Sequence, residues 1–165
     1  MKKRLTILFI IAIIALATAC GSEPITEDDP ITVPEFYMDS SSNFGLDTVA
    51  ESDYSNITAT AEYETYKKDV DVIKIFLTNH NVGKGFYFYS TPALQKETNG
   101  YWKNVDFTER HPNWYFAALE GNKTEPNIGV VAISPVYNKV NLSKGNYRAA
   151  VFVKDHVLYA YFKVE

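Results

Sequence analysis

The stretch LSKGNYRAAVFV, residues 142–153, decides how the rest of the chain is interpreted. A turn containing glycine is followed by a run in which every second residue, from Tyr147 to Val153, is apolar. Because successive side chains of a β-strand point to opposite faces, this alternation directs one set toward a core and turns Arg148 outward. The stretch therefore predicts a half-buried strand.

The chain on both sides of this strand has the same texture from residue 55 to residue 165. Short runs rich in Val, Ile, Tyr and Phe are separated by turn signals, of which Asn99 and Gly100 are the strongest hairpin signal. No run has sustained helical periodicity. This pattern is typical of an all-β sandwich or barrel. Strands are predicted in NITATAEYE (56–64), DVDVIKIFL (69–77), GFYFYS (85–90), ALQKE (93–97), YWKNV (101–105), NWYFAALE (113–120), NIGVVAIS (127–134) and VLYAYFKVE (157–165).

The opening stretch resembles the close of an immunoglobulin-like sandwich. In that fold a tyrosine near the start of the penultimate strand returns its hydroxyl to the backbone upstream, and a cysteine follows two positions later. The resemblance assigns the tyrosine position to Tyr147, after Leu142 and the Gly145 turn, and places Ala149 where the cysteine would be. Trp102 is a candidate core tryptophan.

In their order, these motifs resemble the immunoglobulin-like domains of many uncharacterised lipoproteins of Gram-positive bacteria. The shared outline is an N-x-N loop at Asn79 and Asn81, a Gly-x-Trp ending at Trp102, and the L-x-x-G-x-Y-R close. The resemblance covers nearly all of residues 55–165. It implies an antiparallel β-sandwich of about seven strands without a disulfide, and it supplies no catalytic residues.

The N-terminal stretch MKKRLTILFIIAIIALATA, residues 1–19, has the layout of a secretory signal. Its apolar run is too short to span a bilayer as a helix. The end, LATAC, resembles the lipobox of bacterial lipoprotein precursors, although Ala17 stands where leucine is commonest. This resemblance implies cleavage before Cys20 and a diacylglycerol on its thiol. The alternative is an ordinary signal cut near Ala19.

An acidic segment, residues 20–54, joins this cysteine to the predicted domain. Between residues 21 and 55 there are nine acidic residues and no Lys or Arg. Proline and serine add no regular structure, so the composition predicts a flexible tether. Three aromatic residues are unusual in a pure linker and could dock on the domain or form a first edge strand: Phe36, Tyr37 and Phe44.

The charge of the chain limits its partners. Without residues 1–19 it carries 13 basic and 20 acidic residues, a formal net charge of −7. A chain this acidic is a poor ligand for nucleic acid. A protein that carries two acyl chains is anchored stably, so we expect this one on the outer face of the cell membrane of a Gram-positive bacterium. We expect it to be a monomer.

The residue types that carry catalysis do not form a recognisable constellation. His80, His111 and His156 lie far apart and show no metal-ligand spacing. No GxSxG elbow or similar nucleophile setting is present. We therefore expect no enzymatic activity, no metal and no cofactor, and the leading hypothesis is a lipid-anchored adapter that binds another envelope protein.

Two alternatives use other features of the sequence. Alternation in GFYFYS places two tyrosines opposite two phenylalanines, and exposed aromatic rings would suit a glycan-binding site. The candidate rings are Tyr87, Tyr89, Tyr101 and Trp114. Alternatively, the loops NHNVGKG (79–85) and TERHPNW (108–114) are long enough to enter the cleft of a protease, as in an inhibitor.

Overall fold

The structure, a computed structural model, describes residues 27–31, 53–107, 116–119, 124–154 and 156–165, with the backbone alone for 116–119. A 3-10 turn at Tyr54–Asn56 precedes ten strands. No helix within these ranges is long and apolar enough to cross a membrane. The strands are β1 (Ile57–Ala61), β2 (Thr65–Tyr66), β3 (Ile73–Asn79), β4 (Phe86–Tyr89), β5 (Ala93–Thr98), β6 (Tyr101–Asn104), β7 (Phe116–Leu119), β8 (Asn127–Ile133), β9 (Gly145–Val153) and β10 (His156–Val164).

The strands form two principal sheets and a two-stranded ribbon. One sheet has the order β1-β3-β8, the other has the order β2-β10-β9-β5-β6, and β4 pairs with β7. All described pairings are antiparallel except that of β2 with β10. These are the A-B-E and G-F-C-C′ neighbours of an immunoglobulin-like sandwich. The all-β sandwich prediction is confirmed.

The strand count exceeds the predicted seven because short pairings divide the chain further. Thr65 and Tyr66 run parallel to the end of β10 and close that edge of the larger sheet. Pro92, which has no N–H to donate, lies between β4 and β5, and β4 pairs separately with β7. The ribbon and the sheet edge thus account for the additional strands.

The core lies between the two principal sheets. On β3 the side chains of Ile73, Ile75 and Leu77 are fully buried, as their alternation predicts. The alternate residues of β9 that begin at Tyr147 face them from the other sheet, as predicted. The residues between them are buried as well, so β9 is covered on both faces and the prediction of a half-buried strand is wrong. Residues of both sheets complete the cluster, among them Leu94, Val131, Ile133, Ala149, Val151, Val153, Ala160, Phe162 and Val164.

Two tight hairpins set the register of the larger sheet. The turn between β5 and β6 consists of Asn99 and Gly100, whose φ angles of 54° and 85° suit a type I′ turn. Between β9 and β10, His156 pairs with Val153 and Lys154 has φ 51°. The hairpin at Asn99 and Gly100 occurs where the sequence predicts it.

The start of β9 has the geometry of a tyrosine corner. The Tyr147 hydroxyl donates to the Ser143 carbonyl oxygen at 2.8 Å and accepts from the Ser143 amide at 3.1 Å. Leu142 is buried beside this corner. Gly145 has φ 153°, and a Cβ there would lie 2.8 Å from Cε of Lys96. Tyr147, Leu142 and Gly145 therefore fix how the chain enters β9.

Residues 27–31, the docked segment, lie along the free edge of β6. The Asp29 amide donates to the Trp102 carbonyl oxygen at 2.7 Å. In return, the Trp102 amide donates to the Asp28 carboxylate at 2.8 Å, and the Asn104 amide donates to the Asp29 carboxylate at 2.7 Å. Part of the acidic segment is therefore bound to the domain, and residues 32–52 join it to the sandwich.

Candidate functional site on the outer sheet face

The side of the five-stranded sheet that points away from the core carries an aromatic and polar cluster. We call this cluster the outer face. The register of the four antiparallel strands brings its members together, because Arg148 pairs with both Gln95 and Tyr161 while Trp102 pairs with Glu97. It comprises Gln95, Glu97, Trp102, Arg148, Tyr159 and Tyr161.

Arg148 lies at the centre of the outer face. Its guanidinium carbon is 4.7 Å from the ring centroid of Trp102 and 4.3 Å from that of Tyr159. The Nε donates to Oε1 of the buried Gln95 at 2.7 Å. Arg148 does point away from the core, but only 9% of its surface is exposed. The expectation of an outward arginine is thus correct about direction, while the neighbouring rings remove the side chain from solvent.

The docked segment completes the surroundings of Arg148. Nη2 of Arg148 donates to Oδ2 of Asp28 at 3.3 Å. Nε2 of Gln95 donates to the Asp29 carbonyl oxygen at 3.0 Å. These contacts join residues 66 and 120 positions apart in the sequence. They provide hydrogen-bond partners for polar groups of the largely buried Gln95 and Arg148.

Asp29 is the main electrostatic contact of the docked segment. Its Oδ1 accepts from Nζ of Lys103 at 2.9 Å. The hydrogen bond from Lys103, followed by the bond from the Asn104 amide, lowers the pKa of the Asp29 carboxyl below its usual value of 3.8. These hydrogen bonds therefore favour the charged form of the Asp29 carboxyl.

An open depression of about 350 Å³ lies beside the ring of Trp102. The Trp102 and Tyr161 rings meet edge to face with centroids 5.8 Å apart, and 58% of Tyr161 is exposed. Nδ2 of Asn146 donates to Oε2 of Glu97 at 2.7 Å within the same region. Rings beside carboxylate, amide and ammonium groups can bind an amphipathic surface or a small polar ligand. The lining consists of Glu64, Glu97, Trp102, Asn146, Tyr147, Tyr161, Phe162 and Lys163.

The predicted aromatic residues that the structure describes are not brought together at this site. Tyr89 is only 1% exposed and packs edge to face on Phe152, so it cannot present a ring to a glycan. Tyr87 and Tyr101 are half-buried on different strands. Trp114 lies outside the described residues. The prediction of an exposed ring is therefore wrong for Tyr89.

Trp102 also differs from its prediction. It lies on the outer face, where it covers Arg148, rather than in the core. The alternation of Tyr159 and Tyr161 with Leu158, Ala160 and Phe162 predicts that both tyrosines face outward, and on β10 they do. Their position beside Trp102 was not predicted. That position depends on the register that aligns the four strands β6, β5, β9 and β10.

Of the two loops considered for protease inhibition, residues 79–85 are described and 108–114 are not. The buried Asn79 donates through Nδ2 to the Lys84 carbonyl oxygen and accepts from the Asn81 amide through Oδ1. Asn81 in turn donates to the Asp53 carbonyl oxygen at 2.8 Å. Val82, 49% exposed, belongs to this internally bonded loop.

Other predicted features lie beyond what the structure describes. Cys20, His111 and the aromatic residues Phe36, Tyr37 and Phe44 belong to ranges outside the described residues. Within the described ranges, no group of three or more His, Cys, Asp or Glu side chains could hold a metal ion.

Comparison with known proteins found no similar family or curated protein. No protein-family model matches the chain, and no curated protein is significantly similar to it.

Proposed function

We propose that this protein is a lipid-anchored, non-enzymatic binding module of the bacterial cell envelope, and that it binds a protein partner through the outer face. The supporting observation is the exposed Tyr161 ring beside Trp102, with Arg148 packed underneath. Tyr, Trp and Arg are the side chains most enriched at the centres of protein interfaces. The anchor is inferred from Cys20 and its lipobox-like context.

Site-specific crosslinking tests the binding surface. A photoreactive residue at position 161 is compared with the same residue at position 137, because both native tyrosines are 58% exposed and only Tyr161 belongs to the outer face. In intact cells we expect a discrete crosslinked species from position 161 and not from position 137. Equal crosslinking at both positions, or none at 161, would contradict the proposal.

The same experiment separates a protein partner from a glycan. A crosslinked species that keeps its mass after glycan digestion is a protein partner. A species that disappears on digestion assigns the depression beside Trp102 to a sugar ligand, and the protein-binding proposal then fails.

The anchor is tested by fractionation of cells that express the full chain. We expect the wild type in the membrane fraction and Cys20→Ala outside it, because the variant lacks the thiol that would carry the lipid. Retention of Cys20→Ala in the membrane would contradict the anchor.

Protease inhibition is a second candidate function, favoured by the hydrogen bonds that hold the loop of residues 79–85. A loop fixed in advance loses little entropy on binding, which favours tight inhibition. We expect an inhibited protease to recover activity with Val82→Asp and not with Val72→Asp, since 41% of Val72 is exposed outside this loop. Full activity of every protease in a panel with the wild-type protein would remove this candidate.

A further inference from the structure

Among the described residues, the docked segment is nearest in sequence to the proposed lipid anchor. Only residues 21–26 separate it from Cys20. Since an extended chain spans at most about 3.6 Å per residue, Glu27 lies within about 25 Å of Cys20. Without docking, the first fixed point would be Asp53, which an extended chain could carry to about 120 Å. Docking thus shortens, several-fold, the greatest distance that the domain can move from the lipid anchor.

The contacts of the docked segment are directional. The Trp102 and Asn104 amides, which point away from β5 at the edge of the sheet, donate to aspartate carboxylates at 2.7 to 2.8 Å. The Lys103 ammonium donates both to the Glu27 carbonyl oxygen and to the Asp29 carboxylate. Such charge-assisted bonds are about twice as strong as neutral ones. They attach the segment to one edge of one sheet.

From these contacts we infer that residues 27–31 mount the domain on the membrane, with the β6 edge of the five-stranded sheet nearest the bilayer. This inference rests on the lipid anchor of the proposed function. The β2 edge then lies farther away, because four strand intervals of about 4.8 Å separate it from β6. In this orientation the outer face lies close to the membrane, so its partner is a membrane-bound protein rather than a protein of the cell wall.

Orientation can be measured by energy transfer to dye-labelled lipid in vesicles that carry the lipidated protein. Cys20 is the only cysteine and would carry the lipid, so one introduced cysteine provides a unique label. Asp106→Cys reports on the β6 edge and Lys67→Cys on the β2 edge, since both native residues are exposed close to the ends of those strands. We expect more transfer from position 106 than from position 67.

A double variant, Asp28→Ala with Asp29→Ala, removes the carboxylates that hold the segment. We expect it to abolish the difference in transfer between the two labels, because the domain then rotates freely on the whole tether. The matched control is Asp69→Ala with Asp71→Ala, which makes the same charge change at two exposed residues between β2 and β3. The control should keep the difference, whereas equal transfer from both labels in the wild type would overturn the inference.

Amide hydrogen exchange distinguishes failure of docking from failure of the anchor. We expect the Trp102 and Asn104 amides to exchange at least about tenfold faster in the aspartate double variant than in the wild type. Unprotected amides in the wild type would refute docking while leaving the proposed function intact. A wild-type protein that does not associate with vesicles would refute the anchor, and the mounting with it, even where docking is shown by exchange.

Discussion

The two outer faces of the sandwich show how the same alternation leads to different surfaces. On β8 the outward residues Ile128 and Val130 are 59% and 50% exposed. On β9 the outward Arg148 is 9% exposed, beneath Trp102 and Tyr159. Within the described ranges, the back of the smaller sheet leaves these apolar side chains exposed, while the back of the larger sheet is covered by its own long side chains and by the docked segment. Alternation assigns a side chain to a face, and its neighbours across the sheet decide whether solvent reaches it.

Substitution at equivalent outward positions should give the largest contrast. Arg148→Ala leaves Gln95 with an unpaired buried oxygen and removes the cation between two rings, so we expect a loss of about 2 to 4 kcal/mol in unfolding free energy. Val130→Ala should cost less than about 1 kcal/mol, since it changes an exposed strand residue. Urea denaturation of both variants measures the difference.

Arg148→Lys refines this comparison. Lysine keeps the charge and loses the planar guanidinium that stacks on both rings and bonds to Gln95. Its stability should fall between that of the wild type and that of Arg148→Ala. Equal stability of all three proteins would mean that the contacts of Arg148 contribute no more to stability than those of an exposed residue on the smaller sheet.

The tyrosine corner should give a smaller effect. Tyr147→Phe removes the hydroxyl that bonds twice to Ser143, and we expect a loss of about 1 kcal/mol. Tyr161→Phe is the matched control, because its hydroxyl belongs to an exposed ring on the outer face. A change of stability in the control as large as that in Tyr147→Phe would contradict a special role for the corner.

The smallest effect concerns the dependence of docking on pH. Docking lowers the pKa of Asp29, so the charged form contributes fully above the usual value of 3.8 and its contribution is lost as pH falls through the lower docked value. Exchange protection of the Asn104 amide, relative to a core amide such as that of Ile75, should stay constant at higher pH and fall only below about pH 3.8. Loss of protection near neutral pH would show that another group controls docking.

The inward half of the fold could be predicted from the sequence, and the outer face could not. Alternation identified Ile73, Ile75 and Leu77, and the turn preference of Asn99 and Gly100 identified a hairpin. These are local properties. The burial of Tyr89 depends instead on Phe152, more than 60 residues away, so no local pattern revealed it.

The docked segment shows the same limit more strongly. Residues 27–31 read E-D-D-P-I, a composition typical of a solvated linker. Their binding depends on Lys103 and on amides of β6, which only the folded sheet places at the right spacing. A local pattern of acidic residues predicts solubility, and it contains no information about a distant edge with free donors.

The position of β10 between β9 and β2 has a consequence for the timing of folding. Every other described strand precedes β10 in the sequence, yet β10 joins two strands of the larger sheet and supplies Ala160, Phe162 and Val164 to the core. A growing chain therefore lacks a central element until Val164 has been made. Such an order delays completion of the sandwich until residue 164 has been synthesised.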